Sequence, residues 1–306
     1  MGLQKQPLVD STIMISKEQL ARAAAEPEKF KLLEKVPFDF MPVSAAGQTF
    51  DRVILSDMEV PEKRIRKLVI LDTETTGVDN SAELIELAFC VCSYDVRTRT
   101  VLSIDVCFDA FSKAEKPLTK EISELTHITN EMLPSKKLVY DDFKEYLPEK
   151  CLVVAHNAGF DRRILEKTYP YVLADLHWAD SMTEIDWRAK GFNGKGLEGL
   201  LTQAGFWYDA HRAINDVLAL LWLIMQTGTL AELCNNASKV SLEVKVSVSY
   251  AEKDSVKALG FRFRGEDKTW SRNFESMTAW QETQKSLPKS AKTVSIQVLN
   301  SQTRFK

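Results

Sequence analysis

Cysteine is scarce and unpatterned. The 306 residues hold five, Cys90, Cys92, Cys107, Cys151 and Cys234, and none form a Cys-x-x-Cys pair. An odd number in apolar, strand-like settings argues against a disulfide framework and against a thiolate zinc site. The expectation is buried, reduced thiols in a cytoplasmic protein. Long apolar runs are missing too. The strongest, "VLALLWLIM" at 217–225, falls well short of the ~20 residues a helix needs to cross a bilayer. It reads as a core helix, and no membrane partner is expected. The start, "MGLQKQPLVDSTIM", has no apolar h-region, so no secretory signal is expected. Internal repeats and low-complexity tracts are also absent.

Charge is not dominated by one sign, since the net formal charge is only −3. That small figure hides an asymmetry. Residues 237–306 carry 13 Lys/Arg against 7 Asp/Glu, about +6, and the remainder about −9. An acidic body can hold carboxylates for metal, and a basic tail suits a polyanionic partner; both are equally compatible with solvated surface.

Residues 1–66 contain short helical patches in "SKEQLARAAAEPEKFKLLEK", interrupted by Pro27, Pro37, Pro42 and Pro61, with no core of their own. They are expected to drape over the next domain. From 67 to 233 the pattern is strand-rich. "LVILDTE", "LIELAFCVCSYDV" (84–96) and "VLSIDVCFDA" (101–110) predict three strands, the last two joined as an antiparallel hairpin by "DVRTRT". Helices are expected around 119–132 and 139–147, followed by a strand at "CLVVAHNA" (151–158). A helix "DRRILEKTY", a strand near "HWADSM" (177–182) and helices "KGLEGLLTQAG" and "AINDVLALLWLIMQTG" complete the unit. A meander followed by alternating strands and helices predicts an α/β fold, a mixed sheet flanked by helices. A polar break is expected at "CNNASK" (234–239). Beyond it, 240–306 reads as a small basic α+β domain of order β-α-β-β-α-β.

The chemistry begins at "LVILDTETTG", residues 68–77, where an apolar strand ends in two acids. Side chains alternate along a strand, so Asp72 and Glu74 point the same way. Two carboxylates sharing an apolar face repel, and a divalent cation is the usual compensation; "TETTG" is equally good turn chemistry. In "LVVAHNAGFDRR" a second strand runs into a loop with Asp161 near the next helix, where a lone Asp is often an N-cap. In "HRAINDVLALL" Asp216 precedes an apolar helix and His211 lies five residues earlier. His211 is either a surface residue or, if it sits on the loop leading into the helix, a group able to reach the same site as Asp216. Four acids so placed can hold two hard cations, Mg²⁺ or Mn²⁺ rather than Zn²⁺, in a site for phosphoryl chemistry. A neutral histidine can take the proton of the attacking water.

"DTETTG", "HNAGFD" and "HRAIND" resemble, in order, the three motifs of the DEDDh 3′–5′ exonucleases, the superfamily of the polymerase III epsilon proofreading subunit. The resemblance covers about 67–228, and "ISELTHITNEML" is similar to the family's segment before the second motif. It implies an RNase H-like fold and two-metal hydrolysis of terminal phosphodiester bonds from a 3′ end, releasing nucleoside 5′-monophosphates. By position it makes Asp72, Glu74, Asp161 and Asp216 metal ligands and His211 the general base. Thr75, Thr76 and Gly77 would lie beside the 3′-terminal nucleotide, with Gly77 permitting close backbone approach. Asn157 and Phe160 match positions lining the substrate groove, where an aromatic ring can stack on a base; for Phe160 simple core packing is an equal reading. His156 reads as structural.

In the tail, Lys253, Lys257, Arg262, Arg264, Lys268 and Arg272 interleave with Phe261, Phe263, Trp270, Phe274 and Trp280. The aromatics read as the core of the small domain, and the cations as its solvated side or as phosphate contacts. No aromatic RNA-recognition signature is present. The expected function is a metal-dependent exonuclease acting on nucleic acid, DNA in preference to RNA. The alternatives are an exoribonuclease of the same fold and a nuclease-bearing docking subunit of a replication, repair or defence complex.

Overall fold

A computed structural model describes residues 16–37, 52–170, 173 and 175–305. The expectations for 1–15 and 38–51 of the N-terminal extension lie outside the described residues. Helix α1 (Lys17–Ala25) starts at Ser16, whose hydroxyl accepts from the Gln19 N–H while the Gln19 side chain accepts from the Ser16 N–H. This reciprocal cap satisfies two otherwise orphaned donors, and Pro27 follows the helix end. Two short strands come next, β1 (Glu34–Lys35) and β2 (Val53–Ile54).

The main sheet is built on β3 (Ile65–Thr75), β4 (Leu84–Asp95) and β5 (Val101–Phe111), an antiparallel meander. Strand β4 is buried along its whole length, which explains its near-continuous apolar sequence. The β4–β5 turn is organised by Asp95, which accepts from the Arg97 and Thr98 N–H groups and from Arg64. After α2 (Lys120–Thr126), strand β6 (Leu152–Ala155) pairs parallel with β3. Helix α3 (Ala158–Thr168) then leads to β7 (His177–Asp180), parallel to β6. Helix α4 (Leu197–Ala204), strand β8 (Phe206–Trp207), α5 (Ala213–Thr227) and α6 (Leu230–Ser238) close the unit. The sheet order is β2-β5-β4-β3-β6-β7, and β1 pairs parallel with β8 to one side.

Alternation along β3 splits the core. Leu68 and Ile70 join a cluster with Val217, Leu220, Leu221 and Ile224 of α5, whereas Val69 and Leu71 join one with Ile164 and Leu165 of α3. Helices therefore cover both faces. Among the described residues no single helix is long and apolar enough to cross a membrane.

Three expectations are corrected. The region 119–132 is helical only to Thr126, because His127 adopts φ 58°, a left-handed conformation that ends a helix. Around 139–147 there are two 3₁₀ turns broken at Phe143 rather than a helix. The polar stretch "CNNASK" is no break. It ends α6, whose Leu230, Leu233 and Ala237 are buried at helical spacing. The thiol expectation also fails for one pair. Register places Cys90 opposite Cys107 with Cα atoms 4.2 Å apart, and they form a disulfide; Cys92, Cys151 and Cys234 are free.

The C-terminal unit runs β9 (Ser241–Ser247), α7 (Lys253–Ala258), β10 (Arg262–Arg264), β11 (Thr269–Phe274), α8 (Met277–Gln284) and β12 (Lys292–Leu299). Its sheet order is β10-β11-β9-β12. Val244, Val246, Val256, Phe261, Phe274 and Trp280 form its core, while Phe263 is 55% exposed. The unit is not self-contained. Residues 300–305 return to the larger sheet, where Ser301 accepts from the Trp178 N–H at 2.8 Å. The buried Arg162 donates to the carbonyls of Gln302 (2.6 Å) and Arg304 (2.8 Å).

Candidate active site

Asp72 and Glu74 leave β3 on the face shared with Leu68 and Ile70, the face that α5 covers. Asp216 stands in the first turn of α5, so the apolar docking of that helix carries it to the two strand carboxylates. Oxygens of Asp72, Glu74 and Asp216 lie within 4.8 Å of one another. Three carboxylates at that separation offer the hard oxygen ligands suited to a divalent cation.

Asp161 approaches from α3. It is buried in α3, and Thr73, which alternation turns to that side, donates its hydroxyl to Asp161 at 2.7 Å. Asp161 is not one of the three acids within 4.8 Å, yet of the neighbouring acids it acts most strongly on Asp72. Nor is it the cap of α3: the helix starts at Ala158, with Asn157 before it at φ 88°. His211 lies on the loop two residues ahead of α5, exposed, at φ 65°. Its backbone N–H donates to Asp216 at 2.9 Å.

The substrate-contact candidates are scattered around this centre. Buried Thr75 donates to the Gly77 carbonyl at 2.5 Å, and Thr76 exchanges hydrogen bonds with Glu83 at 3.0 Å. A Cβ at Gly77 would meet nothing within 4 Å. The Asn157 N–H donates to Asp180. Phe160 is partly buried against the α3-side core, with the Arg163 guanidinium 5.5 Å from its ring. Both ring nitrogens of His156 are engaged, one with Ser181 and one with the Lys195 carbonyl, which leaves it no ligand role.

Electrostatics mark the cluster. Burial, then the neighbouring acids, raise the Asp72 carboxyl well above its usual range and push Glu74 up to about 8. Burial takes Asp161 up to about 7 against the pull of the Thr73 hydroxyl, and Asp216 up to about 6 against the Tyr208 hydroxyl. Desolvation and like charge act together here, the condition a divalent cation relieves.

Residue-level reading missed four participants. Tyr208 donates to Asp216 at 2.8 Å. Thr73 was visible in the alternation that places Asp72 and Glu74 together. Glu86 and Arg212 were not, because they meet only through strand register and helix docking. Glu86, directly opposite Glu74 on β4 and fully buried, accepts from Arg212 at 2.7 and 3.0 Å and from the Ala213 N–H at 2.9 Å. It thereby caps α5 from another element and ties down the loop that carries His211. Breaking a buried ion pair leaves a charge without a partner. Glu86→Ala is expected to lower unfolding stability by about 3–5 kcal/mol in urea titration; a loss below about 1 kcal/mol, the range of an exposed pair, would show that Arg212 finds water instead.

A mixed sheet in this order, with carboxylates at the C-terminal end of its central strand and on the helix packed over it, defines an RNase H-like nuclease fold. Residues 69–223, just over half of the chain, match the exonuclease family model RNase_T. The chain belongs to that exonuclease family. It is similar to DNA polymerase III PolC-type of Staphylococcus haemolyticus, 37% identical over 105 residues (33% of this chain, 7% of that protein). It is also similar to the PolC-type enzyme of Thermotoga petrophila, 31% identical over 155 residues (48% and 11%). The match thus spans about a tenth of those relatives' length. Among solved structures, exonuclease X in complex with 5′ overhanging duplex DNA aligns with a TM-score of 0.41 and 21% identity, over 55% of this chain and 98% of that one. Cell-death related nuclease 4 aligns with a TM-score of 0.45 and 15% identity, over 76% and 82%.

Proposed function

We propose that this chain is a divalent-metal-dependent 3′–5′ exonuclease that shortens DNA and releases nucleoside 5′-monophosphates. The observation that carries the reading is the convergence of Asp72, Glu74 and Asp216 within 4.8 Å on one face, in a chain of the exonuclease family. Those three residues, with Asp161 completing the set from the α3 side, would hold two Mg²⁺ or Mn²⁺ ions. When bound, the cations supply charge stabilisation at the phosphate and at the departing oxygen. His211, exposed on its loop, takes the proton of the attacking water. Glu86 and Arg212 hold that loop in place. Thr75, Thr76, Gly77, Asn157 and Phe160 surround the terminal nucleotide. DNA is favoured because the segment-level relatives are DNA polymerases.

Full-length protein incubated with 5′-labelled single- and double-stranded DNA and RNA is expected to give a ladder shortened from the 3′ end. The ladder should require Mg²⁺ or Mn²⁺ and vanish in EDTA. Faster trimming of RNA than DNA would transfer the reading to an exoribonuclease, and inertness on every substrate would overturn it.

A further inference from the structure

At the opposite end of the sheet from the carboxylates is a cleft of about 490 Å³, within the ~300–1,000 Å³ range of small-molecule sites. Arg66, at the start of β3, lines it together with Arg99 and Lys150. Arg66 and Asp72 are six positions apart along one strand, roughly 20 Å at ~3.3 Å per residue, so this cleft and the candidate active site are distinct.

Its charge is one-sided. No acidic side chain is present among the described residues that line it. Lys67, also in the lining, is neutralised by Asp105 at 2.8 Å. Arg66 donates only to the backbone carbonyls of Lys63 and Ile65. Among the described residues, Arg66, Arg99 and Lys150 stand in no ion pair; such concentrated positive charge is unusual on a body whose own balance is about −9. Leu152, Ala237 and the ring of Tyr94 add an apolar part to the lining. Cations beside an apolar surface fit a ligand with a polyanionic end and a flat, weakly polar body.

We propose that this cleft binds a nucleoside polyphosphate, with the phosphates on Arg66, Arg99 and Lys150 and the base against Leu152, Ala237 and Tyr94. Guanidinium groups form paired, charge-assisted hydrogen bonds to phosphate oxygens. Position gives the site a consequence. Ser238, on the passage out to the C-terminal unit, and Asn300 and Ser301, on the passage back, line the same cleft. A ligand seated there touches both connections and braces the small unit against the larger sheet.

The test is calorimetric titration of the full-length protein with ATP in EDTA, which removes divalent ions from the carboxylate site. Saturable binding is expected, weakened at least about tenfold by Arg66→Ala combined with Arg99→Asn and left unchanged by Asp72→Asn. Both arginines lie outside the apolar core and asparagine is tolerated at the φ of 60° that Arg99 adopts, so the double variant should keep its melting temperature. Lys150→Glu, on an exposed residue, gives a second and independent reading in the same direction. Inorganic pyrophosphate should bind more weakly than ATP because it has no base. The proposal is overturned by absence of saturable ATP binding, by binding indifferent to the cleft variants, or by pyrophosphate binding as tightly as ATP.

Discussion

Asp72→Asn is expected to abolish hydrolysis and, in EDTA, to make the protein more stable above about pH 6. The activity loss should be at least about 10³-fold, since cation stabilisation of transition-state charge is worth several kcal/mol and each ~1.4 kcal/mol is tenfold in rate. The stability gain follows from crowding. Unfolded carboxyls titrate near ~4, whereas in the fold burial and like charge raise Asp72 and push Glu74 up to about 8, Asp161 to about 7 and Asp216 to about 6. Between those values the folded state holds more protons than the unfolded state, so stability falls as pH rises. That contribution is complete below about pH 4 and, for Glu74, Asp161 and Asp216, is lost as pH passes their raised values, by about pH 8. Removing one carboxylate eases the repulsion and flattens the slope. Mg²⁺ replaces the protons, so it should stabilise the wild type more at pH 8 than at pH 6 and the variant little at either. Thermal melts across pH 5–8, with and without EDTA, read all of these. A wild-type melting temperature in EDTA that does not change over that range would mean the acids are not crowded.

His211→Asn should slow hydrolysis roughly 10²–10⁴-fold, the usual contribution of general base catalysis, while the Mg²⁺-dependent rise in melting temperature survives. The three acids that approach one another do not include His211, and only its backbone N–H contacts Asp216. Asparagine is the better probe because the residue sits at φ 65°, where Asn is tolerated and Ala adds strain. A kcat that falls with KM unchanged fits loss of a proton acceptor. Loss of the metal-dependent stabilisation would instead make His211 a ligand.

Local pattern made much of this molecule legible. The apolar run before Asp72, the alternation that pairs Asp72 with Glu74, and the apolar stripe behind Asp216 each depend on neighbours a few residues away. The β-α-β-β-α-β order of the tail was readable for the same reason, with Gly260 at φ 83° after α7 as punctuation. The errors arose where a local signal was overridden. "CNNASK" is polar by composition yet helical, because Leu233 and Ala237 bury one face of α6. The 139–147 stretch has helical composition but breaks at Phe143, a fully buried ring packed edge-on against Tyr140 and Tyr169.

By itself, the sequence determined which residues can be acids on one face, where the strands and helices carrying them begin, and which family motifs they compose. Only the tertiary structure decided which of them meet. Register set Glu86 opposite Glu74 and Cys90 opposite Cys107, helix docking brought Asp216 to β3, and α3 brought Asp161 against Thr73, where its charge reaches Asp72. It also decided that residues 300–305 belong with β7 and α3, and that Arg66, Arg99 and Lys150, far apart in the chain, share a cleft. The physical reason is range. Side-chain direction follows from a residue's own backbone period, whereas register, docking and shared burial are settled by contacts between segments whose separation along the chain carries no information about their separation in space.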